Sequence, residues 1–440
     1  MSLLSADQQL TKHSYYAATA PREVSFPALQ SKLDCDVAVV GGGLAGLSAA
    51  IELADRGYSV VLLEAQQVGW GASGRNGGQV IAGLACDQSV IDEQLGREAS
   101  RRVWDMTLEA IRLIGERRLR FGIDCDWVDG YMSVAETPRK ARELRRWHEH
   151  MASAYGYEST WIAPADLPRW IASPRFQSAV HDPLGGHLHP LKYSLGLARA
   201  AASLGVRIHE NSAVIAIEAG STAKVRTATG SVSASHVLLA GNVYLQGIAP
   251  SLERRVMPVG TYIVASKRLA PELAASLIPS RSAVCDTNFV LDYFRPTIDD
   301  RLLYGGRVSY SAVTPMNLAA SMQRRMARTF PQLRDTEVEF AWGGFVDISM
   351  NRAPDFGRLS EVGSGPGRAY ANVYYLQGFS GHGLALTGLA GKLVAEAIAG
   401  DAERFDTFAR IRHRAFPGGR LLRTPALVAG MAYFRLKDML

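Results

Sequence analysis

The stretch that decides the fold is Asp36–Glu64, DVAVVGGGLAGLSAAIELADRGYSVVLLE. The apolar run Val37–Val40 meets three consecutive glycines, Gly41, Gly42 and Gly43. Leu44, Leu47, Ala50, Ile51 and Ala54 then recur at helical spacing, Gly57 breaks the helix, and Ser59–Leu63 reads as a second strand ending on Glu64. This is a βαβ unit with G-x-G-x-x-G at Gly41, Gly43 and Gly46. Gly41 permits the tight turn, Gly43 lets the backbone approach a pyrophosphate, and Gly46 lets the helix pack close to the strand. Leu44 and Ala45 open the helix, whose positive end receives the phosphates. Glu64, followed by Ala65, lies about 20 residues on, where a carboxylate binds a ribose 2′-hydroxyl and disfavours a 2′-phosphate. The spacing points to NAD or FAD rather than NADP.

Working outward, 440 residues suffice for a large core and two domains. The chain is 47% hydrophobic and 20% charged, with a net charge of +6. The basic residues concentrate in Arg97–Arg120, Arg139–Arg146 and Arg404–Arg423. No nucleic-acid motif accompanies them, so they read as solvated helix faces and no nucleic-acid partner is expected. Cys35, Cys86, Cys125 and Cys285 are scattered without metal-type spacing, which suits reduced thiols in a cytoplasmic protein. The start, MSLLSADQQLTKHS, lacks the basic and apolar regions of a secretory signal. Pro425–Phe434 is apolar, flanked by arginines and too short to span a bilayer. It reads as a helix packed on the protein or on a second subunit, with membrane-surface contact through this tail as the alternative.

Residues 1–33 read as an arm laid over the surface. After the βαβ unit comes Gly69–Gln79, GWGASGRNGGQ, with five glycines in eleven residues. So many glycines argue for close backbone approach to a large flat ligand, with Arg75 and Asn76 as hydrogen-bonding groups among them. Helical patterns cover Arg97–Phe121 and Pro138–Tyr155, and Val128–Ala135 reads as a strand. His181–Pro190 reads as a loop whose histidines, His181, His187 and His189, lack the helical carboxylate–histidine pattern of a metal site, so no metal is expected. The strand Val237–Ala240 ends on Gly241 and Asn242, again at the carboxyl end where ligands bind. From Arg255 to about Val338 the pattern becomes alternating and antiparallel, interrupted by a helix at Asn317–Phe330. Val373–Leu376 is then a strand, Gln377–Gly383 (QGFSGHG) a glycine turn, and Leu384–Ala399 an apolar helix.

With those motifs in view, the chain resembles the D-amino-acid-oxidase superfamily of flavoproteins, which includes glycine and sarcosine oxidases. The likeness covers most of the chain and rests on Gly41–Glu64, the GASGRNGG loop at Gly71–Gly78 and GFSGHG at Gly378–Gly383. Within the superfamily it looks most like the gamma-glutamylputrescine oxidoreductases. The supporting stretches are Ser14-Tyr15-Tyr16, SGRNGGQ, LGGHLHPLKY at Leu184–Tyr193, PVGTYI at Pro258–Ile263 and FPGGRLLRTP at Phe416–Pro425.

The resemblance implies an α/β fold: a Rossmann-like FAD-binding domain with a β-rich antiparallel α+β substrate domain. The first would comprise 34–90, 175–250 and 340–400, the second 91–174 and 251–339, with an arm at 1–33 and a basic, apolar helical tail at 401–440. Gly41, Gly43, Gly46 and Glu64 would hold the ADP half of FAD, with Val214 near the adenine. Gly71, Ala72, Ser73, Arg75, Asn76, Gly77, Gly78 and Gln79 would approach the flavin ring. Gly378, Gly381, His382, Gly383 and Leu384 would meet its pyrimidine edge, with His382 tuning site electrostatics. Trp342, Tyr262, Asn288 and Tyr293 would line the pocket.

Two departures refine the substrate. Sarcosine oxidases carry a lysine just beyond GFSGHG where this chain has Ala385, and basic residues where it has Val80–Gly83. Lacking those charges, the site suits an amine on an aliphatic chain rather than a small α-amino acid, and so a gamma-glutamylated polyamine such as gamma-glutamylputrescine. With no cysteine beyond Cys285, FAD would be bound non-covalently. The implied reaction oxidises a C–N bond, giving aldehyde, ammonia and hydrogen peroxide, with O2 or another acceptor taking the electrons. The alternatives are a D-amino-acid, glycine or sarcosine-type dehydrogenase feeding a membrane quinone, and a non-catalytic FAD-binding subunit.

Overall fold

In the strand Lys32–Val40 the last residues are buried on both sides. Val37 and Val39 join the core under the helices, while Ala38 and Val40 join a second apolar layer behind the sheet. The computed structural model describes residues 3–7, 13–218, 220–245, 247–309, 317–359 and 370–417. In the first sheet Lys32–Val40 lies between Ser231–Leu239 and Val60–Leu63. Val373–Gln377 and Arg207–His209 extend it outward, all these pairings being parallel. Asp355–Arg358 closes one edge antiparallel, and the strands Ala216–Glu218 and Ala223–Arg226 cover part of the rear.

Helices Leu44–Asp55, Arg97–Arg120, Pro190–Ser203 and Gly383–Ile398 pack on the front face. The crossing of Leu44–Asp55 with Gly383–Ile398 is very close. Ser48 Oγ donates to Gly388 O at 2.5 Å, and a Cβ on Gly391 would stand 2.5 Å from the Ala49 nitrogen.

The second sheet runs in the order Val338–Ser349, Val256–Ser266, Leu302–Ser309, Tyr293–Pro296, Ala283–Asp286, Val128–Ala135, Ser178–His187, Gln79–Val80. Its pairings are antiparallel except that of Ala283–Asp286 with Val128–Ala135. One face, with Val264, Val284, Phe294 and Met132, packs under the helix Leu318–Thr329. The other carries Trp342, Ile263, Leu303, Tyr293, Cys285 and Tyr131.

The structure departs from the sequence reading in four places. His181–Pro190 is mostly strand, because Ser178–His187 finds partners on both sides in Val128–Ala135 and Gln79–Val80. Segments assigned by sequence to the first body, Gln79–Val80, Ser178–His187 and most of Val338–Ser349, belong to the second sheet. Conversely Arg97–Arg120, assigned to the substrate domain, packs its Val103, Ala110 and Ile114 into the first core. The arm is not merely laid over the surface: Asp7, Tyr15 and Tyr16 are buried. The tail at Pro425–Phe434 lies outside the described residues.

The helix crossing generates a test. Gly391→Ala should force the two helices apart and cost about 1–3 kcal/mol. Denaturant unfolding would read this, and an unchanged midpoint would show that the crossing tolerates a methyl group.

Candidate functional site

Because the central strands run parallel, their carboxyl ends share one edge. Gly41, Glu64 and Gly378 follow those strands directly, and Gly241 follows Ser231–Leu239 after one intervening residue. Gly41 has φ +115°, and a Cβ there would stand 2.5 Å from Ala240 O. A Cβ on Gly46 would stand 2.0 Å from Gly41 O. Leu44 N–H donates to Ser73 Oγ at 2.9 Å, which sets that hydroxyl at the helix start. Glu64 accepts from Gly42 N at 2.7 Å and Gln66 N at 2.8 Å, an arrangement that aims its carboxylate along the sheet edge. Burial raises its pKa against those two hydrogen bonds. Val214 follows Ser212, whose N–H donates to Glu64 O at 2.8 Å, so the adenine-side segment lies beside the acid. Asn242 adopts φ +52° at the end of the neighbouring strand.

The Gly71–Gln79 loop is shaped by side chains. Arg75 is buried; it pairs with Asp7 at 2.6 Å and donates to Gly343 O at 3.0 Å and Gly71 O at 3.2 Å. Asn76 donates to Ala72 O and Ser73 O, both at 3.0 Å, and accepts from Gly78 N at 2.8 Å. The guanidinium and amide expected to meet a ligand are thus occupied in holding the loop. Gln79 donates to Val284 O at 2.9 Å, tying the loop's end to the second sheet.

In the second glycine turn, Gly378 and Gly381 take φ +76° and +85°, and Ser380 takes φ +54°. Asp347, 3% exposed at the end of Val338–Ser349, accepts from Gly378 N at 2.5 Å, and its own carbonyl accepts from Ser380 N at 3.0 Å. Burial raises the Asp347 pKa to about 6. His382 precedes helix Gly383–Ile398, and its Nε2 lies 3.1 Å from Ala82 O. A carbonyl only accepts, so Nε2 carries the proton and Nδ1 is the acceptor. Burial lowers its pKa and keeps the ring neutral. Leu384 lies in the first turn of the helix, while Ala385 is buried in the core.

Of the four pocket candidates, the structure brings Tyr293 to the loop: a Cβ on Gly77 would stand 2.7 Å from its ring. Trp342 is 1% exposed, donates from Nε1 to Arg75 O at 3.0 Å and packs on Tyr16, so it buttresses the loop from behind. Tyr262 pairs in register with Gly343 and not with Trp342, and so points from the opposite face, into Val243 and Phe345. Asn288 donates to Glu136 at 2.5 Å and to Asp286 at 2.8 Å. Sequence reading missed Arg295 and Asp347, since each is a lone residue whose role depends on distant partners. Arg295 is buried and donates to Gly77 O at 2.7 Å, Tyr16 Oη at 3.1 Å and Leu188 O at 3.1 Å. His187 and His189 flank it, and burial together with its charge lowers the pKa of both, that of His189 to about 3. His189 caps the helix Pro190–Ser203, and His187 bonds Arg281 O, so the histidines are separately occupied.

A glycine cradle in which Cβ atoms cannot fit, a buried acid at the end of the second strand and two glycine turns at helix starts along one sheet edge define a dinucleotide-binding oxidoreductase fold. They suit the pyrophosphate and ring of FAD. The comparisons give the particular family. Residues 36–397 match the family described as FAD dependent oxidoreductase, and the chain belongs to it. It is 43% identical over 435 residues, 98% of this chain and 100% of the relative, to gamma-glutamylputrescine oxidoreductase of Escherichia coli (strain K12). It is 37% identical to the probable oxidoreductase OrdL of Haemophilus influenzae, covering 97% of each chain. The crystal structure of glycine oxidase from Geobacillus kaustophilus shares the fold, with a TM-score of 0.68 at 23% identity, covering 83% of this chain and 95% of that one. The chain is therefore an FAD-dependent oxidoreductase. Among the described residues no single helix is long and apolar enough to cross a membrane.

Arg75→Ala should leave Asp7 buried and uncompensated, costing about 3–5 kcal/mol and loosening the loop. The purified variant is expected to lose flavin, read as the ratio of flavin to protein absorbance; full retention would refute the clamp. For Asp347, the folded pKa of about 6 exceeds the ordinary 3.8, so the folded state binds more protons between those values. The unfolding free energy contributed by this group therefore falls as pH rises through that window, by about 3 kcal/mol in all. Asp347→Asn should remove this slope, as measured by denaturant unfolding at pH 4 and pH 7.

Proposed function

We propose that the chain oxidises the terminal amine of a gamma-glutamylated diamine such as gamma-glutamylputrescine, yielding the aldehyde and ammonia, with O2 or another acceptor receiving the electrons. The observation that carries this reading is 43% identity along the whole length of the E. coli enzyme of that name. The site is compatible with it. Gly41, Gly43, Gly46, Ser73 and Glu64 would hold the ADP half of FAD, and the backbone of Gly71–Gly78 and Gly378–Gly383 the ring end. Bound FAD supplies a two-electron acceptor for the C–N bond.

The protein's own groups orient the amine and keep water away. Ile81, Tyr131, Cys285 and Tyr293 form one apolar cluster beside the glycine loop, suited to an aliphatic chain. Ile81 and Ala82 put no cation there, and Ala385 is buried, so this segment offers nothing to a carboxylate next to the reacting nitrogen. His382, held neutral, leaves its Nδ1 lone pair to accept a proton from a bound ammonium, which must be deprotonated before its C–H bond can be oxidised. All four cysteines are unpaired, in keeping with a cytoplasmic setting.

Anaerobic mixing with gamma-glutamylputrescine should bleach the flavin, and the same mixture in air should release hydrogen peroxide. Sarcosine and D-alanine should bleach it far more slowly. Bleaching by those two alone would sink the substrate assignment.

A further inference from the structure

Four arginines are buried among the described residues: Arg75, Arg117, Arg295 and Arg301. Three of them are neutralised. Arg75 pairs with Asp7, Arg117 with Glu52, and Arg301 with Asp299 and Glu339. Arg295, 4% exposed, has only neutral partners among the described residues. Its Nε donates to Gly77 O at 2.7 Å. One terminal nitrogen lies 3.4 Å from Pro296 O and 3.3 Å from the His187 ring, and the other donates to Leu188 O and Tyr16 Oη, both at 3.1 Å. His187 Nε2 faces Arg281 O at 2.8 Å and so carries the ring proton, which leaves Nδ1 to accept from Arg295. Asp299, whose charge reaches Tyr15 and His189 as that of Arg295 does, is held by Arg301 at 2.9 Å.

This lone cation stands at one end of the glycine loop. Tyr293 and Arg295 alternate along one strand and so share a face. Tyr293 meets Gly77, and a Cβ on Gly78 would stand 2.8 Å from a terminal nitrogen of Arg295. Ser73, which meets the start of helix Leu44–Asp55, lies toward the loop's other end. All five N–H groups of Arg295 are engaged, so it acts on a ligand through its charge and not by contact. A buried charge without a counter-charge is costly, and the cost is recovered when an opposite charge enters the same low-dielectric region. When the amine's C–H bond breaks, its two electrons and its proton pass together to the flavin. The ring gains one negative charge and the substrate becomes an iminium cation. We propose that Arg295 supplies the counter-charge for the reduced ring and so raises the two-electron reduction potential of the flavin. This rests on the placement of the ring end of FAD against Gly71–Gly78 proposed above.

The test measures the holoenzyme's flavin potential against reference dyes, together with its visible spectrum, for wild type, Arg295→Met and Arg295→Lys. Arg295→Met keeps the bulk and removes the charge. It should shift the flavin absorption and lower the equilibrium constant for reduction by roughly 10- to 100-fold, about 30–60 mV for a two-electron couple. Arg295→Lys keeps the charge but not the planar fork, and should hold most of the wild-type potential. Should a variant release its flavin, titration with oxidised and with reduced FAD reads the same quantity, because the ratio of the two affinities changes by the same factor. A merely structural role predicts equal loss of both affinities, in the lysine variant as in the methionine one, and that result overturns the proposal. A shifted spectrum with an unchanged potential also overturns it, while the placement of the ring then stands. If neither spectrum nor potential moves, the ring does not lie at this loop and the placement itself fails.

Discussion

The buried Arg75 guanidinium holds the flavin-side loop to separate parts of the chain at once. It takes Asp7 from the N-terminal segment, Gly343 O from the edge strand of the second sheet and Gly71 O from the loop itself. The loop cannot hold its own shape. Its internal backbone bonds, Gly74 N to Gly71 O and Arg75 N to Ala72 O, are both long at 3.3 Å. Glycines gain access to a flat ligand at the cost of order. Arg75 restores that order by reaching out to Gly343 O, and Trp342 and Arg295 by reaching in to the carbonyls of Arg75 and Gly77. A buried ion pair is not in itself a large source of stability, but removing one partner strands the other. That asymmetry makes the loop's geometry hard to lose piecemeal.

The same loop has a definite charge setting. Arg295 is a buried cation whose partners are carbonyl oxygens, a hydroxyl and a neutral imidazole, and the histidines beside it are prevented from adding charge. The starts of helices Leu44–Asp55 and Gly383–Ile398 face the same sheet edge with their positive ends. Glu64, held by Gly42 N, is the acid that follows the neighbouring strand on that edge. A cofactor with a central pyrophosphate, a ribose on one side of it and an electron-accepting ring on the other matches this distribution.

Much of the fold was legible. The strand Val128–Ala135 has the boundaries read from sequence, and the first βαβ unit and the final strand–turn–helix differ by a few residues. The segment His181–Pro190 was misread because Asp-Pro and Gly-Gly are loop signals, whereas its pairing partners lie far away in sequence and leave no local trace. Trp342 and Tyr262 were assigned to one pocket because, in the fold that the resemblance implies, their segments would face the flavin. Strand register sends them to opposite faces. Asn288 was placed near the flavin by resemblance, and its side-chain amide is engaged by Glu136 and Asp286.

What the sequence by itself determined is the set of backbone positions where only glycine serves. Gly41 and Gly46 are required by a turn and a helix contact within a few residues of each other, so their spacing records the geometry directly. The tertiary structure alone decided which side chains support that cradle. Asp347 under the second turn and Arg295 under Gly77 are single residues without a motif. Their roles arise from hydrogen bonds and strand register between segments far apart in the chain, and no local pattern encodes a contact that only folding creates.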